Sequence, residues 1–300
     1  MNFVIPVSDL GNDLILHIGP PKTGSSSLQR VLNSRRKKLL EMNICSPDMP
    51  AKERNKYAVS ICKNPGLLVL EPRSIERQKL IISAESMSGA IADDSFFELI
   101  RHCKSQGLIQ KIQVVYVKKS FKRIIYSEFN QSCFHASSPS AALGIKIKSI
   151  EAIKEFICNG RLRSRSQTNI LNKLIQNNLD IVVLDLKAEK DVNALFFDKF
   201  LGLASESLKL RNIYANITET REREAQVLEF IEDVLNTISP KDEYESTRLG
   251  KAFSCLRDEK PSYKHLIDAL VTTEFHRKVQ RQEDQYHSLI SKNQGNIVVY

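Results

Sequence analysis

Short apolar runs alternate with segments of helical period along the first two thirds of the chain. The run Leu14-Ile15-Leu16-His17-Ile18 ends in Gly19-Pro20-Pro21 and passes into Lys22-Thr23-Gly24-Ser25-Ser26-Ser27. That order predicts a strand, a tight loop and a helix. In the helix Leu28, Val31 and Leu32 recur at i, i+3 and i+4 and make one apolar face, so Gln29, Arg30 and Asn33 are expected to look outward. Further strands are predicted at Leu80 to Ser83, Ile112 to Val117 and Ile181 to Leu184, each a β-branched run followed by helical pattern. Strands alternating with helices predict an α/β fold, a parallel sheet covered on both faces. Ligands of such sheets gather at the carboxyl ends of the strands, here the loops after Ile18, Ser83 and Val117.

From about Thr220 the pattern turns wholly helical. Val227, Ile231, Val234, Leu235 and Ile238 form one stripe and Phe275, Val279, Tyr286 and Ile290 another, with polar sequence from Ser239-Pro240 to Ser254 between them. No internal repeat or low-complexity linker interrupts the chain. The expected organisation is one α/β domain over residues 1–240, with a helical C-terminal extension, residues 241–300, packed on it.

Composition narrows the class. The chain has 300 residues, 42% of them hydrophobic and 26% charged, which excludes a disordered chain, a collagen and a small disulfide scaffold. No apolar stretch approaches the ~18–20 residues of a membrane-spanning helix, and Met1 to Asp9 lacks a basic patch followed by an apolar run. Cys45, Cys62, Cys103, Cys133, Cys158 and Cys255 are scattered without C-x-x-C spacing, the pattern of free thiols in a reducing cytosol. A soluble, cytoplasmic protein is therefore expected. Lys and Arg outnumber Asp and Glu by 44 to 35, a formal net charge of +9 that draws anions. The basic residues are spread along the chain and Trp is absent, which speaks against a nucleic-acid partner. The run Arg35-Arg36-Lys37-Lys38 reads as one solvated side of a helix.

The loop after the first strand carries the chemistry. A strand feeding a glycine-containing loop into a helix N-terminus gathers free backbone N–H groups and the positive end of the helix dipole at one point, which makes an anion site. Gly24 permits close backbone approach, Thr23, Ser25, Ser26 and Ser27 add hydroxyls, and Lys22 adds a positive charge. The nucleotide-phosphate pattern G-x-x-x-x-G-K-[ST] requires lysine directly after its second glycine, a position held here by Ser25. Lysine is instead displaced to the rim of the loop, within reach of a bridging or leaving oxygen.

LHIGPPKTGSSSLQ resembles the 5′-phosphosulfate loop of the sulfotransferases that use 3′-phosphoadenosine 5′-phosphosulfate (PAPS), particularly their bacterial carbohydrate-type members. The resemblance implies a P-loop-like three-layer fold, with Pro21, Lys22, Thr23, Gly24, Ser25, Ser26 and Ser27 around the donor's 5′ end. A second signature of that family, a basic residue ending a strand and a serine eight positions on, is matched by Lys119 and Ser127, the latter followed by Phe129-Asn130-Gln131. These two residues are thereby implied to hold the 3′-phosphate. The family's usual arginine grips a phosphate with a planar fork where lysine offers a point charge, so Lys118 or Arg123 is considered as a helper. The third element is Ser83-Ala84-Glu85 at the end of a buried strand, whose carboxylate the resemblance makes the general base. A polyanion bound beside it would raise its proton affinity by like charge. His17 reads as a hydrogen-bonded core histidine, with its place beside the loop keeping it as a reserve base. The resemblance covers roughly residues 13 to 240 and is thin after Ser140.

The implied reaction is sulfuryl transfer to a hydroxyl or amine of an acceptor, a carbohydrate by family analogy, with no metal required. Two rivals stand beside it. A nucleoside-triphosphate kinase or hydrolase would use Asp185, at the end of Ile181-Val182-Val183-Leu184, as a magnesium ligand. A catalytically inactive anion-binding module of the same fold would use the net charge and Arg161, Arg163 and Arg165.

Overall fold

The computed structural model describes residues 3–19, 25–47, 49, 51–120, 167–186, 191–204, 208 and 273–300. The chain divides into two compact units: Met1–Ser120 with Ser164–Ile217 and Gln285–Tyr300, and Phe121–Arg163 with Thr218–Asp284. The first holds a six-stranded sheet built from β2 (Asn12–Ile18), β3 (Ile44–Cys45), β5 (Lys79–Ser83), β6 (Ile109–Lys118), β7 (Asp180–Asp185) and β8 (Ile297–Val299). Their order is β3-β5-β2-β6-β7-β8, and every neighbouring pair is parallel. β1 (Phe3–Ser8) and β4 (Leu68–Arg73) pair in parallel as a separate two-stranded sheet. Of the second unit, the described residues are 273–284, the first part of a helix.

Strand alternation explains the two cores. Leu14, Leu16 and Ile18 face one side with Val114, Tyr116, Ile181 and Val183, under α3 (Ala51–Lys63), α5 (Ser95–Ser105) and α6 (Gln167–Gln176). Ile15, Ile81, Val115, Val117, Val182 and Leu184 face the other, under α1 (Ser25–Ser34), α2 (Arg36–Leu40) and a π-helical stretch, Ala194–Phe200. Helices on both faces leave no polar side for the strands. Hence Leu14 to Ile18 and Val114 to Val117 are wholly buried along their length. Met87–Ala90 (α4) follows β5 directly, and Thr273–Lys292 (α7) precedes β8.

The four predicted strands are β2, β5, β6 and β7. The tail departs from the wholly helical expectation: α7 is helical, but Ile297-Val298-Val299 forms a strand paired with Ile181-Val182-Val183. Three residues have no periodicity to detect, and their strand conformation comes from the open edge of β7. Residues 220–272 and the expected 240/241 boundary lie outside the described residues. Gln29 is also corrected, being 3% exposed where the helical wheel put it outside. Arg30 is exposed and Asn33 half-buried. Of the basic run, Lys37 is exposed and its three neighbours half-buried. Cys45, Cys62 and Cys103 are free and buried, and the other three cysteines lie outside the described residues.

Candidate functional site

Register brings the strand ends to one edge. His17 pairs with Ser83 across β2 and β5, Ile18 with Tyr116 across β2 and β6, and Lys118 with Asp185 across β6 and β7. The loop after β2 leaves this edge at Gly19, and α1 starts at Ser25. Pro21, Lys22, Thr23 and Gly24 lie between them, outside the described residues. Ser25 is fully buried in the first turn of α1, Ser26 half-buried and Ser27 9% exposed. No acidic side chain stands in that turn to compete with an anion for the helix dipole. Glu85 follows β5 by two residues and is half-buried, its carbonyl accepting a 2.7 Å bond from the Ser88 hydroxyl.

Beneath the edge the polar groups are knitted together. His17 Nδ1 and Ser83 Oγ lie 2.8 Å apart. Gln29 Nε2 donates to the Ser83 carbonyl at 3.2 Å, and the Ala84 N–H donates to the His17 carbonyl at 3.1 Å. Asn193 Nδ2, from the segment leading into the π-helical stretch, donates to Ser27 Oγ at 2.8 Å. The His17 ring meets Phe196 edge to face with centroids 5.9 Å apart. Sequence reading missed Gln29 and Asn193. An amide on an apolar helix face next to a strand end was the available signal for Gln29. Nothing in the local pattern marks Asn193, which reaches Ser27 across 166 positions of chain.

Burial lowers the His17 pKa to about 3. The ring is fully buried and hydrogen-bonded to Ser83, whereas Glu85 is half-buried, which makes Glu85 the more accessible candidate base. The same burial has a measurable consequence for stability. Below about pH 6.5 the unfolded chain protonates His17 while the folded chain does not, so stability falls as pH drops toward the folded value near 3. Between about pH 6.5 and 5 the expected loss from this residue is about 2 kcal/mol. Urea midpoints at the two pH values should therefore drop further for the native sequence than for His17→Gln, and equal drops would refute the assignment.

The two lysines at the end of β6 differ sharply. Lys118 is 1% exposed, with Nζ 4.5 Å from the Tyr286 ring centroid and 3.9 Å from Asp185 Oδ2. Lys119 is half-buried, and its carbonyl accepts a 3.0 Å bond from Gln167 Nε2. Asp185 thus faces a buried ammonium two strands away from β2. Arg123, Ser127, Phe129, Asn130 and Gln131 lie outside the described residues, as do Arg161, Arg163 and Arg165. Among the described residues no three His, Cys, Asp or Glu side chains cluster as metal ligands, and no helix is long and apolar enough to cross a membrane. A scan of family models and searches of curated proteins and of solved structures returned no match to this chain.

Proposed function

We propose that this protein is a sulfotransferase of P-loop-like fold that moves a sulfuryl group from PAPS to an acceptor hydroxyl or amine, with a carbohydrate as the acceptor class. The observation that carries this reading is that β2 ends at Ile18, α1 begins at Ser25, and Glu85 follows the end of β5, the parallel neighbour of β2. In the proposed reaction Glu85 takes the acceptor's proton as the acceptor oxygen or nitrogen bonds to sulfur. The bond from sulfur to the bridging phosphate oxygen breaks in line, and 3′-phosphoadenosine 5′-phosphate (PAP) departs. Lys22 stabilises the charge on the bridging oxygen, and backbone N–H groups from Thr23 to Ser26 hold the 5′-phosphate. Lys119 and Ser127 hold the 3′-phosphate. Burial of Lys118 against Tyr286 and Asp185 supports Lys119 over it for this task. The reaction so written uses no metal ion. The free, buried thiols of Cys45, Cys62 and Cys103 support a cytoplasmic setting.

Calorimetric titration with PAP tests the donor site. Metal-independent binding is expected, weakened in both Lys22→Ala and Ser127→Ala. Lys22→Ala should also lower sulfuryl transfer about 10²-fold. Binding of ATP only with magnesium, or of neither nucleotide, would overturn the proposal in favour of a kinase or of an inactive anion-binding module.

A further inference from the structure

Ser83 stands two residues before Glu85, and three hydrogen bonds converge on it or its neighbour. Its hydroxyl meets His17 Nδ1, its carbonyl accepts from Gln29, and the next N–H donates to the His17 carbonyl. His17 lies two residues before Gly19, where the anion loop begins, and Gln29 lies in the helix that ends it. The bonds therefore tie both ends of the loop to the strand that presents Glu85. The His17 ring is fully buried, and its Nε2 has no hydrogen-bond partner among the described residues.

Two proton arrangements fit the 2.8 Å contact. If Nδ1–H donates to the hydroxyl, the buried hydroxyl proton has no acceptor and Nε2 keeps a bare lone pair. If the hydroxyl donates to Nδ1, its proton is satisfied, and the ring carries its own proton on Nε2, where it has no acceptor among the described residues. Each arrangement leaves one donor unmatched, so the acceptor left over decides: in the second it is a hydroxyl lone pair, weaker than an imidazole nitrogen and cheaper to leave unmatched.

We infer that His17 is a positioning residue of the anion loop, held by Ser83 with its proton on Nε2, so that β2, α1 and the strand bearing Glu85 keep one register. The loop's role as the anion site rests on the proposed function. The pair is tested by imidazole nitrogen NMR of the full chain and by PAP titration of Ser83→Ala and Ser83→Thr well below their melting transitions. The native protein and Ser83→Thr should show a single form protonated on Nε2. Ser83→Ala should show mixed tautomers and bind PAP about tenfold more weakly, an effect the size of one buried hydrogen bond. A proton on Nδ1 in the native protein would overturn the inference, as would native PAP affinity in Ser83→Ala. If the native protein binds no PAP, the proposed function fails and the His17 pair is judged on the tautomer of the free protein alone, where Nδ1–H rejects it and Nε2–H upholds it.

Discussion

Glu85→Gln is expected to reduce sulfuryl transfer by about 10²- to 10⁴-fold, the range of a positioned general base. Affinity for PAP should not fall, since the substitution removes a negative charge beside a polyanion. The two readouts separate because the carboxylate acts on the acceptor's proton, while the donor's phosphates are assigned to the loop before α1 and to Lys119 and Ser127. The substitution keeps the side chain's size and reach and removes its charge and its basicity. Glu85 is half-buried just beyond β5, so the amide needs no new space. Steady-state rates with saturating PAPS and isothermal titration with PAP measure the two effects independently. Unchanged turnover would remove Glu85 from the mechanism. A parallel loss of PAP affinity would instead make it part of the donor site.

The second large effect concerns stability. Phe196→Ala should destabilise the protein by about 3–5 kcal/mol, the range for emptying a buried phenylalanine site. Phe196 is fully buried, and its ring stacks edge to face on His17, Phe197 and Phe200 with centroids 5.9, 5.2 and 5.6 Å away. Three ring partners held by β2 and the π-helical stretch leave the surroundings little freedom to collapse into the cavity. Urea unfolding followed by circular dichroism measures the loss. A change below about 1 kcal/mol would mean that the site closes on itself or that Phe196 is not packed as described. Because the ring abuts His17, a folded Phe196→Ala protein should also show the His17 ring resonances shifted.

Much of the fold was legible along the chain because its strands are covered on both faces. Burial on two sides makes β2, β5, β6 and β7 continuous apolar runs, and continuous runs are visible without any partner. The short strands carry no such signal. β3 has two residues and β8 three, and the outer part of β4, Glu71-Pro72-Arg73, is exposed and polar enough to pass for loop. Their conformation is supplied by hydrogen bonds to a neighbour distant in sequence, as when Val298 meets Val182. The candidate site divides in the same way. The hydroxyls of Ser25, Ser26 and Ser27 were recognisable from local sequence, and Glu85 was singled out by the resemblance at the end of its strand. The lattice beneath them, Gln29 to Ser83 and Asn193 to Ser27, joins positions far apart in the chain.

Sequence alone determined that a parallel α/β sheet would form and that α1 would follow its first long strand across a short glycine-containing segment, because periodicity and turn chemistry are local properties. Tertiary structure decided what each polar group near that edge can do. It buried His17 and set its ring against Ser83, where desolvation disfavours the imidazolium. It turned Gln29 inward, where a strand-end carbonyl needed a donor. It also set Lys118, the last residue of β6, against an aromatic face and a carboxylate and left Lys119, just beyond the strand, half-buried.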